Sequence, residues 1–169
     1  MSHAKNKVEW CLTKAKKELD KEGKHRGLVK SSPNIEEARK HISKAEHYFK
    51  ATDYLKRGNY SDISTSTLFY CIYHCFLAIA QKFGYESRNQ ECTFALIRSL
   101  IEDNEIDLPL DLLDKISSLN IEEKVEQTSV EIREQFQYGT STEVENKTYE
   151  ELSLLARKVL SKTKEIIEK

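Results

Sequence analysis

The chain has 169 residues, of which 38% are hydrophobic and 33% are charged, so it holds enough apolar side chains for one folded domain and is not expected to be disordered. Two prolines and five glycines are too few turn residues for a sandwich or barrel of many strands, which favours long helices. The net charge of -1 conceals an asymmetry. Residues 1–30 hold nine Lys/Arg and four Asp/Glu, whereas residues 101–155 hold four and fifteen. Because the cationic charge is local, any contact with RNA or DNA is expected in the basic amino-terminal third.

The cysteines and the most apolar stretch predict where the protein resides. Cys11, Cys71, Cys75 and Cys92 do not resemble the disulfide framework of a small secreted domain, so we predict reduced thiols in the cytoplasm. Residues 1–19 are charged and do not read as a secretion signal. The most apolar run, residues 68–80 (LFYCIYHCFLAIA), is shorter than the about 20 residues that span a bilayer. We therefore predict a protein that is neither secreted nor membrane-spanning.

Two helices with one apolar face each are predicted before residue 60. The first has helical spacing over residues 8–19 and ends near Gly23. Ser32 is then predicted to cap a second helix whose first residue is Pro33. Apolar residues of the second helix alternate steps of three and four, which is typical of an antiparallel bundle, and the helix ends at Gly58.

The helix predicted over about residues 61–83 differs from the first two. Its apolar side chains cover almost every side, which is typical of a helix surrounded by others at the centre of a domain. Gly84 supplies the left-handed residue after it. Shorter helices are predicted at about 91–103 and at about 109–118.

Capping patterns predict two more helices near the carboxyl end. Asn120 and Glu123 form a plausible capping pair for a helix that carries Ile132 and neighbouring apolar residues. Thr148 and Glu151 form a capping box that begins the last helix. No alternating strand pattern is present. The predicted fold is all-α, an up-and-down bundle of four to five main helices with short extra helices. We divide the chain into a basic helix with its linker (residues 1–30) and the bundle (31–169).

Few residues carry a chemical signature. The patterns GxxxxGK[ST], GxGxxG, GxSxG and HExxH do not occur, so no common catalytic motif is present. Cys71, His74 and Cys75 share one helical face, where a metal site or a Cys–His dyad is one interpretation and core packing the preferred one. No metal and no cofactor are predicted. The aromatic residues Tyr48, Phe49, Tyr54, Phe69, Tyr70, Tyr73 and Phe76 are likewise interpreted as core.

The stretch REQFQYG contains the candidate site residues Arg133, Glu134 and Tyr138. An arginine at this position can hold a phosphate bidentately, and polar neighbours four or five residues later can reach the same ligand. The alternative is that Arg133 pairs with Glu131 or Glu134 as part of the bundle. The residues alone leave both interpretations open.

The stretch YFKATDYLKRGNYSDISTSTLFYCIYHCFLAIAQKFGY resembles the HEPN family of small helical nucleotide-binding domains. In that family the second long helix reads as an aromatic pair, two small residues, an aromatic residue and a histidine. Here Phe69-Tyr70, Cys71-Ile72, Tyr73 and His74 occupy those positions, and Gly58-Asn59-Tyr60 matches the preceding turn. The resemblance covers about residues 35–166.

This resemblance implies a helical bundle that usually dimerises and that is often paired with a minimal nucleotidyltransferase as toxin and antitoxin. Active members use an Arg-x4–6-His motif as a metal-independent ribonuclease site across the dimer. Arg133 matches the motif arginine and Glu134 the polar residue after it, but Tyr138 replaces the histidine. Because a phenol is a poor proton carrier at neutral pH, the Arg-x4-Tyr variant favours a binding role.

Three functions follow from these observations. The leading one is a HEPN-type binding module that engages a nucleotide or a nucleotidyltransferase subunit near Arg133 and Tyr138, in a toxin–antitoxin or defence-like system. The first alternative is a divergent endoribonuclease in which Arg133, Glu134 and Tyr138 are the catalytic candidates. The second alternative is a purely structural interaction scaffold. The expected partners are a second copy of the chain, a nucleotidyltransferase, and a nucleotide or RNA, with no membrane.

Overall fold

The computed structural model describes residues 2–117 and 128–169, which form seven helices and one small sheet. In chain order the elements are α1 (His3–Glu22), β1 (Leu28–Lys30), α2 (Ile35–Arg57), α3 (Ser61–Lys82), β2 (Tyr85–Ser87), α4 (Gln90–Glu102), α5 (Leu110–Ile116), α6 (Ser129–Tyr138) and α7 (Asn146–Glu168). The prediction of an all-α helical bundle is confirmed.

Helix α3 lies at the centre of the bundle, as its apolar pattern predicts. It packs against α2 along most of its length and against α4, α6 and α7 on its other sides. Phe69 and Ala78 are both buried although nine residues place them about 180° apart around the helix axis, so opposite sides of α3 are covered. By length and composition alone α3 could cross a bilayer, but 61% of that stretch is buried among the neighbouring helices, which is typical of a core helix.

Helix α1 is joined covalently to α4. A disulfide links Cys11 to Cys92, whose Cα atoms lie 6.0 Å apart, and both residues are buried. The prediction that all four cysteines are reduced thiols is therefore wrong for this pair. The two cysteines are separated by 81 positions in the sequence, and the packing of α1 on α4 brings them together. Cys71 and Cys75 remain buried thiols, and burial raises the pKa of Cys75 well above its usual value.

A short antiparallel sheet joins the segment after α1 to the segment after α3. Leu28 pairs with Ser87 and Lys30 with Tyr85. The expectation of no strands is wrong here, because three-residue strands are too short to produce an alternating pattern. The predicted left-handed Gly84 is confirmed, with φ of 75°, and a Cβ there would lie 2.8 Å from the carbonyl oxygen of Ser31. The pairing of β1 with β2 therefore joins residues on both sides of the predicted domain boundary at residue 30. The division into two domains stays a prediction.

The amino-terminal cap of α2 differs from the predicted one. Asn34 caps the helix, with its side chain accepting a hydrogen bond from the backbone N–H of Glu37 at 2.9 Å. The prediction of Ser32 as cap and Pro33 as first residue is wrong because the backbone is still extended there. The N–H of Ser31 donates to the carbonyl of Gly84. This hydrogen bond extends the contact between the two segments by one residue beyond the sheet, and α2 begins after it.

The amino-terminal end of α6 carries a capping box, and that of α7 has no side-chain cap. Thr128 and Glu131 form a capping box at the start of α6, whereas the predicted pair Asn120 and Glu123 lies outside the described residues. Helix α7 begins at Asn146, so Thr148 is already helical and the predicted box with Glu151 is wrong. The preceding loop is held against α3, since the N–H of Val144 donates to the hydroxyl of Ser61 at 3.0 Å.

Reduction of the Cys11–Cys92 disulfide should destabilise the protein. The bond constrains a long loop of the unfolded chain, so we expect the free energy of unfolding to fall by about 2–4 kcal/mol. Urea denaturation with and without dithiothreitol measures this difference. A Cys11→Ser/Cys92→Ser variant should show the same loss and no response to dithiothreitol. An unchanged denaturation midpoint for the reduced wild-type protein would contradict this expectation.

Candidate functional site

Arg133 lies on α6 and is enclosed within its own chain. Only 9% of the residue is exposed. Its guanidinium carbon lies 4.5 Å from the centre of the Phe69 ring, a cation–π contact. One terminal nitrogen donates to the carboxylate of Glu134 at 3.0 Å and the other to the side-chain oxygen of Gln90 at 3.4 Å. The Nε atom is buried without a hydrogen-bond partner.

Three helices fix this arginine. Phe69 belongs to the buried centre of α3, and α6 packs directly against that helix. Gln90 is the first residue of α4, directly after Asn89, whose side chain caps the helix by accepting from the N–H of Cys92. Because Glu134 partly neutralises the guanidinium, a phosphate reaches Arg133 only by displacing that carboxylate. The side chain of Glu134 is half exposed, so its carboxylate can turn away from Arg133 without losing much buried surface.

Tyr138 occupies a different side of α6. It is 77% exposed, and it lies five residues after Arg133, which corresponds to about 140° around the helix. Within one chain the structure therefore brings Arg133 and Glu134 together and does not bring Tyr138 to them. A joint role of the three residues as a site stays a prediction.

Large exposed side chains gather at one end of the bundle, where α2 and α6 end and α3 and α7 begin. Lys56 of α2 donates to Asn146 of α7 at 2.7 Å, which ties these helix ends together. The exposed residues, which we call the tyrosine end, are Tyr54, Tyr60, Ile63 and Tyr138. The interpretation of Tyr54 as core is wrong, since it is 80% exposed. It lies off the apolar seam of α2, a signal that the sequence already contains.

Two histidines form a polar contact beside a cavity. The Nδ1 atoms of His41 and His74 lie 2.9 Å apart, so one ring donates and the other accepts. Tyr48 stacks on the ring of His74 at 5.5 Å. Burial lowers the pKa of His41. Burial, with smaller contributions from His41 and Lys44, lowers the pKa of His74 to about 4. The interpretation of His74 as a hydrogen-bonded residue is confirmed, although its side chain is only partly buried.

Of the cavities among the described residues, two lie against the helices that carry His41 and Arg133 and are large enough for a small molecule. One, of about 480 Å³, is lined by polar groups that include Ser31, His41 and Arg88. The other, of about 320 Å³, lies between α5, α6 and α7 and is lined by leucines together with Lys115 and Lys158. In the part of the chain that the structure describes, no three His, Cys, Asp or Glu residues gather closely enough to hold a metal ion.

Comparison with known proteins adds no assignment to this geometry. No protein-family model matches the chain, and no curated protein matches its sequence. The HEPN resemblance thus stays a prediction that depends on the residues quoted above.

The histidine pair should make stability sensitive to acid. Both histidines have a lower pKa in the folded protein than the ordinary 6.5, so the unfolded chain takes up protons first. The contribution of the pair is full above about pH 6.5 and is lost as the pH falls towards about 4. Denaturation midpoints measured across this range should fall less steeply for His74→Asn than for the wild-type protein. The exposed His47 provides the control, and a His47→Asn variant that flattened the curve equally would contradict this assignment.

Proposed function

We propose that the protein is a HEPN-like binding module that forms a dimer with a second copy and engages a nucleotide or a minimal nucleotidyltransferase subunit near Arg133 and Tyr138, in a toxin–antitoxin or defence-like system. The proposed binding surface is the tyrosine end. The exposure of Tyr54, Tyr60, Ile63 and Tyr138 at one end of the bundle carries this proposal. Aromatic side chains are favoured where two proteins meet, because they bury a large area with few rotatable bonds.

The surroundings of Arg133 favour binding over catalysis. A ribonuclease site of the Arg-x4–6-His kind needs a guanidinium that is free to hold the scissile phosphate and a proton carrier beside it. Arg133 is already engaged by Phe69, Gln90 and Glu134, and Tyr138 faces another direction. An arginine held this way fixes α6 on the bundle core and thereby positions the tyrosine end.

Light scattering of the purified protein at micromolar concentration tests the dimer. The wild-type protein should have twice the 19.7 kDa mass of one chain. A Tyr54→Asp/Ile63→Asp variant should have the mass of one chain, because a dimer interface does not tolerate two buried unpaired carboxylates. Leu19→Asp is the control, since it changes an exposed apolar residue on α1 and should leave the dimer intact. A wild-type protein of single-chain mass would overturn the dimer.

Calorimetric titration with ATP tests the nucleotide. We expect binding by the wild-type protein and a loss of about tenfold or more in Tyr138→Ala, because one stacked base contributes about 1–3 kcal/mol. Leu19→Ala, which changes an exposed apolar residue on α1 outside the tyrosine end, is the control and should leave the ATP affinity unchanged. Absence of ATP binding would contradict the proposed nucleotide binding. Dimerisation and binding of a protein partner would then remain as the proposed roles of this surface.

RNA cleavage is the second candidate, favoured by one observation. The Nε of Arg133 has no hydrogen-bond partner, and the carboxylate beside it is half exposed, so a phosphate could replace Glu134. Incubation of labelled RNA with the purified protein should give no cleavage if the binding proposal is correct. Cleavage that is lost in Arg133→Ala, with Arg133→Lys as a folded control that keeps the charge, would overturn the binding proposal in favour of a nuclease.

A further inference from the structure

Helix α1 carries a line of cationic side chains on its solvent side. Positions separated by steps of four and three lie on one face of a helix. In α1 the residues at this spacing, which we call the lysine–tryptophan stripe, are His3, Lys7, Trp10, Lys14, Lys17 and Lys21. The stripe is exposed except at Lys7, which is partly buried. It is about 27 Å long, given a rise of about 1.5 Å per residue.

Trp10 stands in the middle of the stripe between two lysines. Trp10 is 52% exposed, whereas tryptophan side chains are on average highly buried in folded proteins. The Nζ atoms of Lys7 and Lys14 lie 4.7 and 5.1 Å from the centre of its ring. An aromatic face held between cations is the arrangement that stacks a nucleic-acid base and binds the phosphates on either side.

Most of the positive charge on the stripe is not neutralised by the protein. Among the described residues no carboxylate pairs with Lys14, Lys17 or Lys21. Glu18 lies one helical turn from Lys14 and Lys21, and Asp20 lies one turn from Lys17, so acidic side chains border the stripe without forming an ion pair with it in the described part of the chain. An ion pair at the edge of the stripe joins Lys7 to Glu91 of α4 at 3.1 Å. The stripe therefore presents a cationic surface to an anionic partner, although the whole chain carries a net charge of only -1.

The opposite side of α1 is occupied, which argues against a lipid partner. Ala4, Val8, Cys11 and Ala15 are buried, and Cys11 is bonded to α4. A helix that lies in a membrane surface inserts a broad apolar face, and α1 has none left to insert. Besides the exposed Leu19 and the carboxylates of Glu9, Asp20 and Glu22, the outward side of α1 consists mainly of the lysine–tryptophan stripe, whose charge and aromatic ring suit a flexible polyanion with bases.

We propose that the lysine–tryptophan stripe binds single-stranded nucleic acid. Lys14, Lys17 and Lys21 neutralise successive phosphates, and one base stacks on Trp10. This surface lies on α1 and includes no residue of the tyrosine end, so it stands or fails independently of the proposed function. The disulfide between α1 and α4 holds the helix in place and limits the ordering that binding requires.

The sole tryptophan of the chain makes the proposal directly measurable, because Trp10 fluorescence reports the stacking itself. We expect a single-stranded RNA of twenty uridines to quench this fluorescence at low salt. A Lys14→Glu/Lys17→Glu/Lys21→Glu variant should bind at least about tenfold more weakly, since three phosphate contacts become repulsive. A Lys14→Gln/Lys17→Gln/Lys21→Gln variant should lower the slope of log affinity against log salt by about 2.

The matched control places the same change of charge elsewhere. Lys50, Lys158 and Lys169 are exposed and lie outside α1. Their triple change to Glu should keep the affinity within about threefold, because contacts beyond a Debye length of about 10 Å are screened. Trp10→Ala should weaken binding of fluorescein-labelled RNA by about tenfold or more, as measured by anisotropy.

Three results would overturn the proposal. The first is a wild-type protein that binds no RNA. The second is a control variant that loses as much affinity as the stripe variant, since the attraction would then be general rather than local. The third is a wild-type protein that prefers vesicles of phosphatidylserine and phosphatidylcholine to the RNA, which would assign the stripe to a lipid surface.

Discussion

The burial of α3 is the constraint on which the rest of the structure depends. A helix with apolar residues on every side is stable in water only when other helices surround it. Phe69 and Phe76 are buried on it, and each such side chain contributes about 1.5–3 kcal/mol when it leaves water. Helices α2, α4, α6 and α7 pack around α3 and take their positions from it. The tyrosine end and the outer side of α1 remain exposed outside this packing.

The same constraint explains why the arginine and the tyrosine of the candidate motif are separated. Helix α6 directs Arg133 towards Phe69. The cation–π contact between the guanidinium and the ring stabilises a charged side chain at the edge of the core. Tyr138, further along α6, is then directed outwards. A chain arranged in this way exposes aromatic side chains at the tyrosine end, while its arginine holds α6 on the core. The lysine–tryptophan stripe on α1 is a second exposed surface, separate from the tyrosine end and distinguished by its charge.

Features set by local periodicity could be predicted from the sequence. The central position of α3, the end of α1 at Gly23 and the left-handed Gly84 follow from patterns that a few neighbouring residues define. The Cys11–Cys92 disulfide and the pairing of β1 with β2 could not, because both depend on which distant segments the fold brings together. The enclosure of Arg133 depends on Phe69 and Gln90, which are far from it in sequence. The HEPN resemblance stays a prediction.

Native-state hydrogen–deuterium exchange tests the central position of α3 most directly. Amides of α3 should exchange only when the whole protein unfolds, so their exchange free energies should equal the free energy of global unfolding. Amides on α1 should exchange faster after the disulfide is reduced, while those of α3 keep the highest protection of the chain. If α3 exchanged as fast as α1 in the oxidised protein, a bundle built around this helix would be contradicted.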